Sequence, residues 1–445
     1  MLEKAKSIMK ILEDNGYQAF LVGGCVRDKV LGIEPKDYDI ATNAIPSKVI
    51  ELMEANGMKS IPTGIEYGTV TVISDLLKFE ITTYREDGRY SNRRHPDHVT
   101  YAKTILEDLS RRDFTINSMA MDLHGTIVDP FGGLSDLKKK NIRCVGKPTD
   151  RFREDPLRIL RGIRFAAKYD LSIDYTTRIA MGNCSPLLSM VSQERIFSEF
   201  KNILMYGKKN IQTMRRCNVL HMIIPELYPT YDFEQNNPHH HLDLMKHIDR
   251  VIDGVDTETL KLAALFHDIG KPACRSYNGG SAAHYYKHEA VGEDIARAVL
   301  SRLKASNEEI EKISLLVKYH GSTLTDKTIK RMAGKYGRSF VEDLLKLQIS
   351  DKLSQVIEED KIKQLRNNMT RLDEILIEPH DLKTLAINGY DLIHIGIEEG
   401  PKIGSILENL LEIVLERPEL NEKEVLINMI NTQKMPDEAQ RRVTI

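Results

Sequence analysis

The hydrophobic spacing of this chain changes once along its length, and that change limits the folds open to it. Up to about residue 140, short apolar runs alternate with helical stretches. "YQAFLVGG", "DYDIAT", "GTVTVIS", "LKFEITTY" and "INSMAMD" carry the β-branched and aromatic residues of strands. "PSKVIELMEANG" has Pro near its start and Gly after its end, as helices do. From about Thr149 onward apolar residues recur at helical spacing almost without interruption. The pattern predicts an α/β domain over residues 1–140 followed by mostly helical structure, with loops at "SYNGGS" and "IEEGPKIG".

At 445 residues the chain is too long for one ordinary core. Its net charge is only −2, so any surface for a polyanion must be local. One such segment exists. Lys138 to Lys168 holds eleven Lys/Arg against three Asp/Glu, a net of +8. The five cysteines are scattered and form no CxxC, which points to a reducing compartment and away from a disulfide framework or zinc knuckle. "MLEKAKSIMKILEDNG" is a charged amphipathic helix pattern rather than a signal peptide. No apolar run approaches the ~18 residues a membrane span needs. The expected location is the cytoplasm, with no membrane partner.

The stretch "FLVGGCVRDKVLGIEPKDYDI", residues 20–40, carries more charge than a strand–turn–helix requires. Alternate residues of a strand face the same way, so Asp37 and Asp39 project together and repel unless a cation sits between them. They suit Mg²⁺, a hard ion that takes oxygen ligands and bridges to phosphates. Taken alone, "DYD" favours a turn with a capping aspartate, but its context reverses that. Gly23 and Gly24 end an apolar run and open a helix, where backbone N–H groups can approach a phosphate. Arg27 adds a charge-assisted contact to the same phosphates. Glu80, mid-strand in "LLKFEITTYR", is a third candidate carboxylate; an outward-facing position on an edge strand explains it equally well.

Two further clusters follow. In "EDLSRRDFTINSMAMD", Arg111 and Arg112 suit a triphosphate, and Asp113 and Asn117 suit ribose hydroxyls; a solvated turn is the alternative. In "REDPLRILRGIRFAAKYD", Asp155, Arg158, Arg161 and Arg164 lie three apart and form one row on a helix, opposite Leu157, Leu160, Ile163 and Ala167. Arg donates to base acceptors and Asp accepts from an exocyclic amine, so such a pair can read a base edge.

These clusters, in this order, resemble the class II tRNA nucleotidyltransferases, a family of CCA-adding enzymes and bacterial poly(A) polymerases. "DPFGGLSDL" and "SQERIFSEFKNIL" complete the matching motifs across residues 18–205. The resemblance implies a polymerase-beta-like α/β head (1–140), then a mostly α-helical neck (141–205), body (206–358) and tail (359–445). It implies tRNA, ATP and CTP as partners and Mg²⁺ held by Asp37 and Asp39. Gly24 and Arg27 would meet the triphosphate, and Arg111, Arg112 and Asp113 would line the nucleotide pocket. Asp155 and Arg158 would act as an amino-acid template, with Arg161 and Arg164 near the phosphates. Glu194, Arg195, Glu199 and Lys201 would support the neck rather than the chemistry. The segment 84–108 looks like the flexible loop that full CCA-adding members keep, which argues against CC-only activity. It leaves an A-adding enzyme and a poly(A) polymerase open.

A second constellation lies downstream. His267 and Asp268 end an apolar helix, and His247, His288, His320 and Asp351 lie on other predicted helices. Such a set is the usual make-up of a site for first-row transition-metal ions in a bundle. Over about residues 239–355 it resembles the HD superfamily of metal-dependent phosphohydrolases. By that resemblance His247, His267, Asp268 and Asp351 hold a first metal, with His288 and His320 available for a second. The alternative is a relic fold that hydrolyses nothing. A reading of another class follows: an HD phosphohydrolase whose head only binds RNA. "INGYDLIHIGIEEGPKIGSILENLLEIV" resembles the tail element of the first family, assigned to packing and to holding the tRNA elbow.

Overall fold

The computed structural model describes residues 1–88, 99–206, 210–236, 242–277, 279–355 and 359–440. The chain divides into two compact units, one of Met1–Tyr228 with Arg302–Lys304, the other of Pro229–Ser301 with Ala305–Ile445.

The first unit begins with a helix, α1 (Leu2–Asp14), whose Ala5, Ile8, Met9 and Leu12 recur at helical spacing and are buried. A seven-stranded sheet follows. Its strands are β1 (Ala19–Val22), β2 (Asp39–Thr42), β3 (Lys59–Ile61), β4 (Thr69–Ser74), β5 (Leu77–Thr83), β8 (Ala120–Met121) and β9 (Ile127–Val128), in the order β3-β4-β5-β2-β1-β8-β9. Only β2 and β5 run parallel, and that pairing sets Asp39 directly beside Glu80. Helices α2 (Gly24–Val30) and α3 (Pro46–Ala55) connect the early strands. A separate ribbon joins β6 (Arg85–Asp87) to β7 (Val99–Tyr101), and α4 (Ile105–Ser110) follows. Residues 89–98, the middle of the loop expected over 84–108, lie outside the described residues.

The strand anticipated in "INSMAMD" is shorter than its residues suggest. Thr115–Asn117 form a 3₁₀ turn, and only Ala120 and Met121 enter the sheet. The cause is local: the buried Ser118 hydroxyl donates to the Leu109 carbonyl, and Ser118 N–H closes the turn on the Thr115 carbonyl. Helix α5 (Gly133–Lys138) packs on this turn so closely that a Cβ on Gly133 would fall 2.3 Å from the Thr115 carbonyl oxygen.

The helical part of this unit contains α6 (Pro148–Glu154), α7 (Leu157–Lys168), α8 (Tyr175–Cys184), α9 (Gln193–Met205), α10 (Asn210–Arg216) and α11 (Leu220–Ile223). A short parallel pair, β10 (Asn141–Ile142) with β11 (Ser172–Ile173), brackets α6 and α7. Pro156 interrupts what the spacing reads as one helix, so Asp155 stands outside it with φ −137° and ψ 102°. The helical row is therefore Arg158, Arg161 and Arg164 alone. The buried stripe opposite includes Leu157, Leu160 and Ile163, as the pattern predicts.

In the second unit α12 (Leu244–Asp253), α13 (Glu258–Phe266), α16 (Asn307–Tyr319) and α18 (Arg338–Leu353) pack against one another. Short α14 (Lys271–Cys274), α15 (His288–Arg302) and α17 (Asp326–Tyr336) lie between them in sequence. Then come α19 (Glu359–Thr370), α20 (Leu372–Ile377), α21 (Gly389–His394), α22 (Pro401–Glu416) and α23 (Lys423–Gln440). The last three close their own core around Leu392, Leu410, Val414 and Leu426. Pro401 is the first residue of α22, so the second half of "IEEGPKIG" is helix, not loop. The fold matches the expected α/β head followed by helices. Among the described residues no helix is long and apolar enough to cross a membrane.

Gly133→Ala tests how tightly the 3₁₀ turn is held. The new methyl must displace backbone, so we expect a loss of about 1–3 kcal/mol, read as a lower thermal midpoint. An unchanged midpoint would mean that the turn yields freely.

Candidate active site and a buried histidine–aspartate cluster

The first unit contains a cleft of about 580 Å³. Gly23, Gly24, Arg27, Asp37, Asp39, Arg111, Arg112, Asp113, Asn117, Asp155, Arg158, Arg161 and Arg164 all line it. Three clusters spread over more than 100 residues of chain thus share one wall system. Gly23 sits at φ +74°, a conformation that favours glycine, and a Cβ there would lie 3.0 Å from Arg112 Nη1.

Asp39 begins β2, while Asp37 lies two residues earlier, just outside the strand; Tyr38 between them is buried, so the alternation holds. Burial raises the Asp39 pKa, and the Asp37 and Glu80 carboxylates raise it further against Arg112, to about 6. Glu80 is on β5, an interior strand between β4 and β2, so the edge-strand explanation fails. Asp37 and Asp39, which line the cleft beside its cationic walls, are the oxygen donors a hard divalent ion takes; Glu80 is exposed and does not line it.

The arginines are held by carboxylates. Asp108, almost fully buried, accepts from Arg111 (Nη2, 2.8 Å) and Arg112 (Nη2, 3.0 Å). Arg158 donates to Glu154 (2.5 Å), and Arg164 donates to Glu199 (2.7 Å). Arg161 donates to Asp113 Oδ2 through Nε (3.0 Å) and Nη2 (2.8 Å), while Asn117 donates to Asp113 Oδ1 (3.1 Å). Burial pushes the Asp113 pKa up, but Arg161, Asn117 and Arg158 overcome it and hold it at about 2. Arg27 donates to Asp28, Asn117 and Tyr169.

Asp155 accepts from Leu157 N–H (3.1 Å), and Arg195 Nη2 lies 3.2 Å from its other oxygen. Arg195, expected only to brace the neck, lines the cleft and holds Asp155. Lys36, Phe165 and Lys168 also line it, and Asp108 organises it from behind. Charge alone marks these among many similar residues, so the sequence does not single them out.

The chain matches three family models: poly A polymerase head domain over residues 19–143, probable RNA and SrmB-binding site of polymerase A over 170–229, and tRNA nucleotidyltransferase domain 2 over 286–430. It is 33% identical over 420 residues to a CCA-adding enzyme of Streptococcus pyogenes serotype M2, covering 93% of this chain and 92% of that one. The chain belongs to the CCA-adding enzyme family. A relative from Anoxybacillus flavithermus is 32% identical over 432 residues, covering 95% of each. Two solved structures share the fold of this family member. One is the Bacillus stearothermophilus CCA-adding enzyme in complex with CTP (TM-score 0.75, 24% identity, 98% of this chain and 99% of that). The other is the Thermotoga maritima CCA-adding enzyme complexed with tRNA (TM-score 0.62, 24% identity, 97% and 95%).

The second unit of this family member brings all six downstream candidates together. His247, His267 and Asp351 place ligand atoms within 4.8 Å of one another, and so do Asp268, His288 and His320. Asp268 joins the groups: Oδ2 lies 3.3 Å from His247 Nε2 and 3.2 Å from His267 Nε2, and Oδ1 lies 3.3 Å from His288 Nε2. The ring orientations are fixed. Nδ1–H donates to a main-chain carbonyl in His267 (Ala264, 2.7 Å), His288 (Tyr285, 2.7 Å) and His320 (Val317, 2.6 Å). His247 Nδ1–H donates to the Ser354 hydroxyl at 2.8 Å, which itself donates to the Asp351 carbonyl. Each Nε2 therefore turns toward the carboxylates, the arrangement of metal-ligating histidines. His247 and His267 bring their Nε2 atoms to 3.1 Å, a contact that a proton on one of them satisfies. Burial opposes a proton on His267, yet Asp268 and Asp351 raise its pKa to about 10. The cluster opens onto a cleft of about 400 Å³ lined also by Lys271, Lys352 and Lys361.

Asp113 gives a pH test. Its pKa is depressed on folding, so its stabilisation is complete above about pH 4 and fades as pH falls toward 2. Asp113→Asn is expected to cost about 2 kcal/mol at pH 7, and the difference in denaturation midpoint from the unaltered chain is expected to shrink below pH 4. A gap that stays constant on acidification refutes the pairing.

Proposed function

We propose that this chain adds CMP, CMP and AMP to the 3′ end of tRNA from CTP and ATP, without a nucleic-acid template, in the cytoplasm. The observation that carries this is the single cleft in which an acidic pair faces an arginine row, in a member of the CCA-adding enzyme family. The relatives of known structure are complexed with CTP and with tRNA. We assign residues 1–140 to the head, 141–205 to a nucleotide-selecting, RNA-binding neck, 206–358 to the body and 359–445 to a tRNA-binding tail.

The chemistry is nucleotidyl transfer: the tRNA 3′-oxygen bonds to the α-phosphorus of the nucleotide, its proton leaves, and pyrophosphate departs. Asp37 and Asp39, with Glu80 beside Asp39, would hold Mg²⁺, which supplies charge at the reacting oxygens when bound. Arg111, Arg112, Arg161 and Arg164 bind and orient the triphosphate. Their ion pairs with Asp108, Asp113 and Glu199 fix them before substrate arrives, so little reorganisation remains. Asp155, steadied by Arg195, and Arg158 present an acceptor and donors to the base edge.

Incubation with tRNA lacking its terminal CCA and single labelled nucleotides tests the reading. CMP addition followed by AMP, stopping at three residues, supports it; a single A or a long A tract would replace it with A-adding or poly(A) activity. Asp37→Ala and Asp39→Ala are expected to lower incorporation of both CMP and AMP by on the order of 10³-fold or more. Near-normal turnover would sink the metal assignment. Asp155→Ala is expected to relax the preference over UTP and GTP, and an unchanged preference would refute the template role.

A second reading concerns the body, favoured by four imidazoles whose Nε2 atoms converge on two carboxylates. We propose that His247, His267, Asp268 and Asp351 hold one transition-metal ion and His288 and His320, with Asp268, a second, in an HD phosphohydrolase site. The metal would supply an activated water, while Lys271, Lys352 and Lys361 attract a phosphoester. Full-length protein bearing Asp39→Ala is expected to carry about two first-row metal ions and to hydrolyse phosphomonoesters or phosphodiesters, both lost in Asp268→Ala. Protein without metal or hydrolysis would leave only a relic fold.

A further inference from the structure

Tyr169 lies one residue beyond the end of α7, at the close of "REDPLRILRGIRFAAKYD" but outside its charged row, and it meets the head at its phosphate-facing turn. Its hydroxyl accepts from Arg27 Nη2 at 2.5 Å and donates to Asp28 Oδ1 at 2.9 Å, a reach of 141–142 residues along the chain. Its ring lies under the same guanidinium, whose carbon is 4.4 Å from the ring centroid. Arg27 is buried, at 5% exposed. Its Nε–H goes to Asp28 (2.9 Å), an Nη1–H to Asn117 (2.5 Å) and an Nη2–H to Tyr169. Asn117 in turn donates to Asp113, which anchors Arg161. A continuous polar chain therefore runs from the end of α7, through Tyr169, Arg27 and Asn117, to Asp113 and back to the middle of α7.

We propose that Tyr169 is a positioning residue for nucleotidyl transfer: its hydroxyl and ring clamp Arg27 and Asp28, and so register the glycine turn of the head against the arginine row of α7. Rotation of a guanidinium this enclosed is restricted from both its edge and its face. Removing the hydroxyl frees one Arg27 donor and one Asp28 acceptor inside the cleft while the ring remains. The fold keeps its apolar contacts, Phe165 among them at 6.4 Å between ring centroids. The loss falls on alignment of the triphosphate end rather than on the base edge, because Asp155 is held separately by Arg195.

The inference rests on the transferase reading, and one experiment separates the two. Steady-state kinetics of the full chain with CTP and ATP on tRNA lacking the terminal residues are compared for the unaltered protein, Tyr169→Phe, Arg27→Lys and the double variant. In Tyr169→Phe, KM for both nucleotides is expected to rise roughly 5- to 20-fold, the effect of one charge-assisted hydrogen bond, with kcat changed less than about threefold. Discrimination against UTP and GTP and the thermal midpoint are expected to hold. Added to Arg27→Lys, Tyr169→Phe is expected to raise KM by less than about twofold, since the two act as one unit. An unchanged KM, or fully multiplicative effects in the double variant, overturns the inference alone. Absence of any CMP or AMP incorporation by the unaltered chain overturns the transferase reading and this inference with it.

Discussion

The ion pair between Asp113 and Arg161, two guanidinium N–H groups on one carboxylate oxygen, is the joint on which the cleft depends. It connects the segment after α4 to α7 across 48 residues, and next to it the chain makes the matching apolar contact. Phe114 packs edge-on against Phe165 at 6.1 Å and reaches Gly162, where a Cβ would fall 2.7 Å from the Phe114 ring. Adjacent residues on each side thus supply a charged clamp and a steric fit. With its pKa near 2, Asp113 stays ionised at any neutral pH, so the clamp does not switch. Removing one member of such a buried pair strands the other, which is why joints of this type hold orientation firmly.

From that joint follows the charge economy of the cleft. Arginines crowded around one cavity repel, and each is offset by a carboxylate: Asp28 for Arg27, Asp108 shared by Arg111 and Arg112, Glu154 for Arg158, Glu199 for Arg164. Phe165 adds a face to three of them, with Arg164 at 4.4 Å, Arg27 at 5.2 Å and Arg161 at 5.5 Å from its ring centroid. The pairs fix direction without cancelling the field, because the guanidiniums still line the cavity. A polyphosphate entering there meets donors that are already oriented.

The change in hydrophobic period revealed the α/β-to-helical order of the chain, since period reports which face each element buries. The strands rich in β-branched residues and the residues of the two head clusters were legible for the same reason. Asp155 was misplaced onto a helix because spacing was weighed above Pro156, a local breaker that wins over periodicity. The place of Glu80 was not legible, because only the parallel pairing of β2 with β5 puts it beside Asp39, and pairing is a long-range event. Arg195, Asp108 and Tyr169 fall inside the motif stretches, yet their roles were not legible on similar grounds. The part each plays comes from partners 3 to 142 residues away.

The two acidic centres of this chain illustrate opposite ways to prepare for a cation. In the body, main-chain carbonyls orient three imidazoles and the Ser354 hydroxyl a fourth, and the candidate ligand atoms converge within 4.8 Å in each group. Such preorganisation suits ions that take nitrogen ligands in defined geometry. The head instead sets Asp37 at a strand's approach, Asp39 at its start and Glu80 across the ladder. Burial first, and then the repulsion of Asp37 and Glu80, raises the Asp39 pKa to about 6. Mg²⁺ keeps waters and completes its shell with substrate oxygens rather than with a protein cage. An open acidic pair beside an arginine row therefore suits an ion that arrives with the nucleotide.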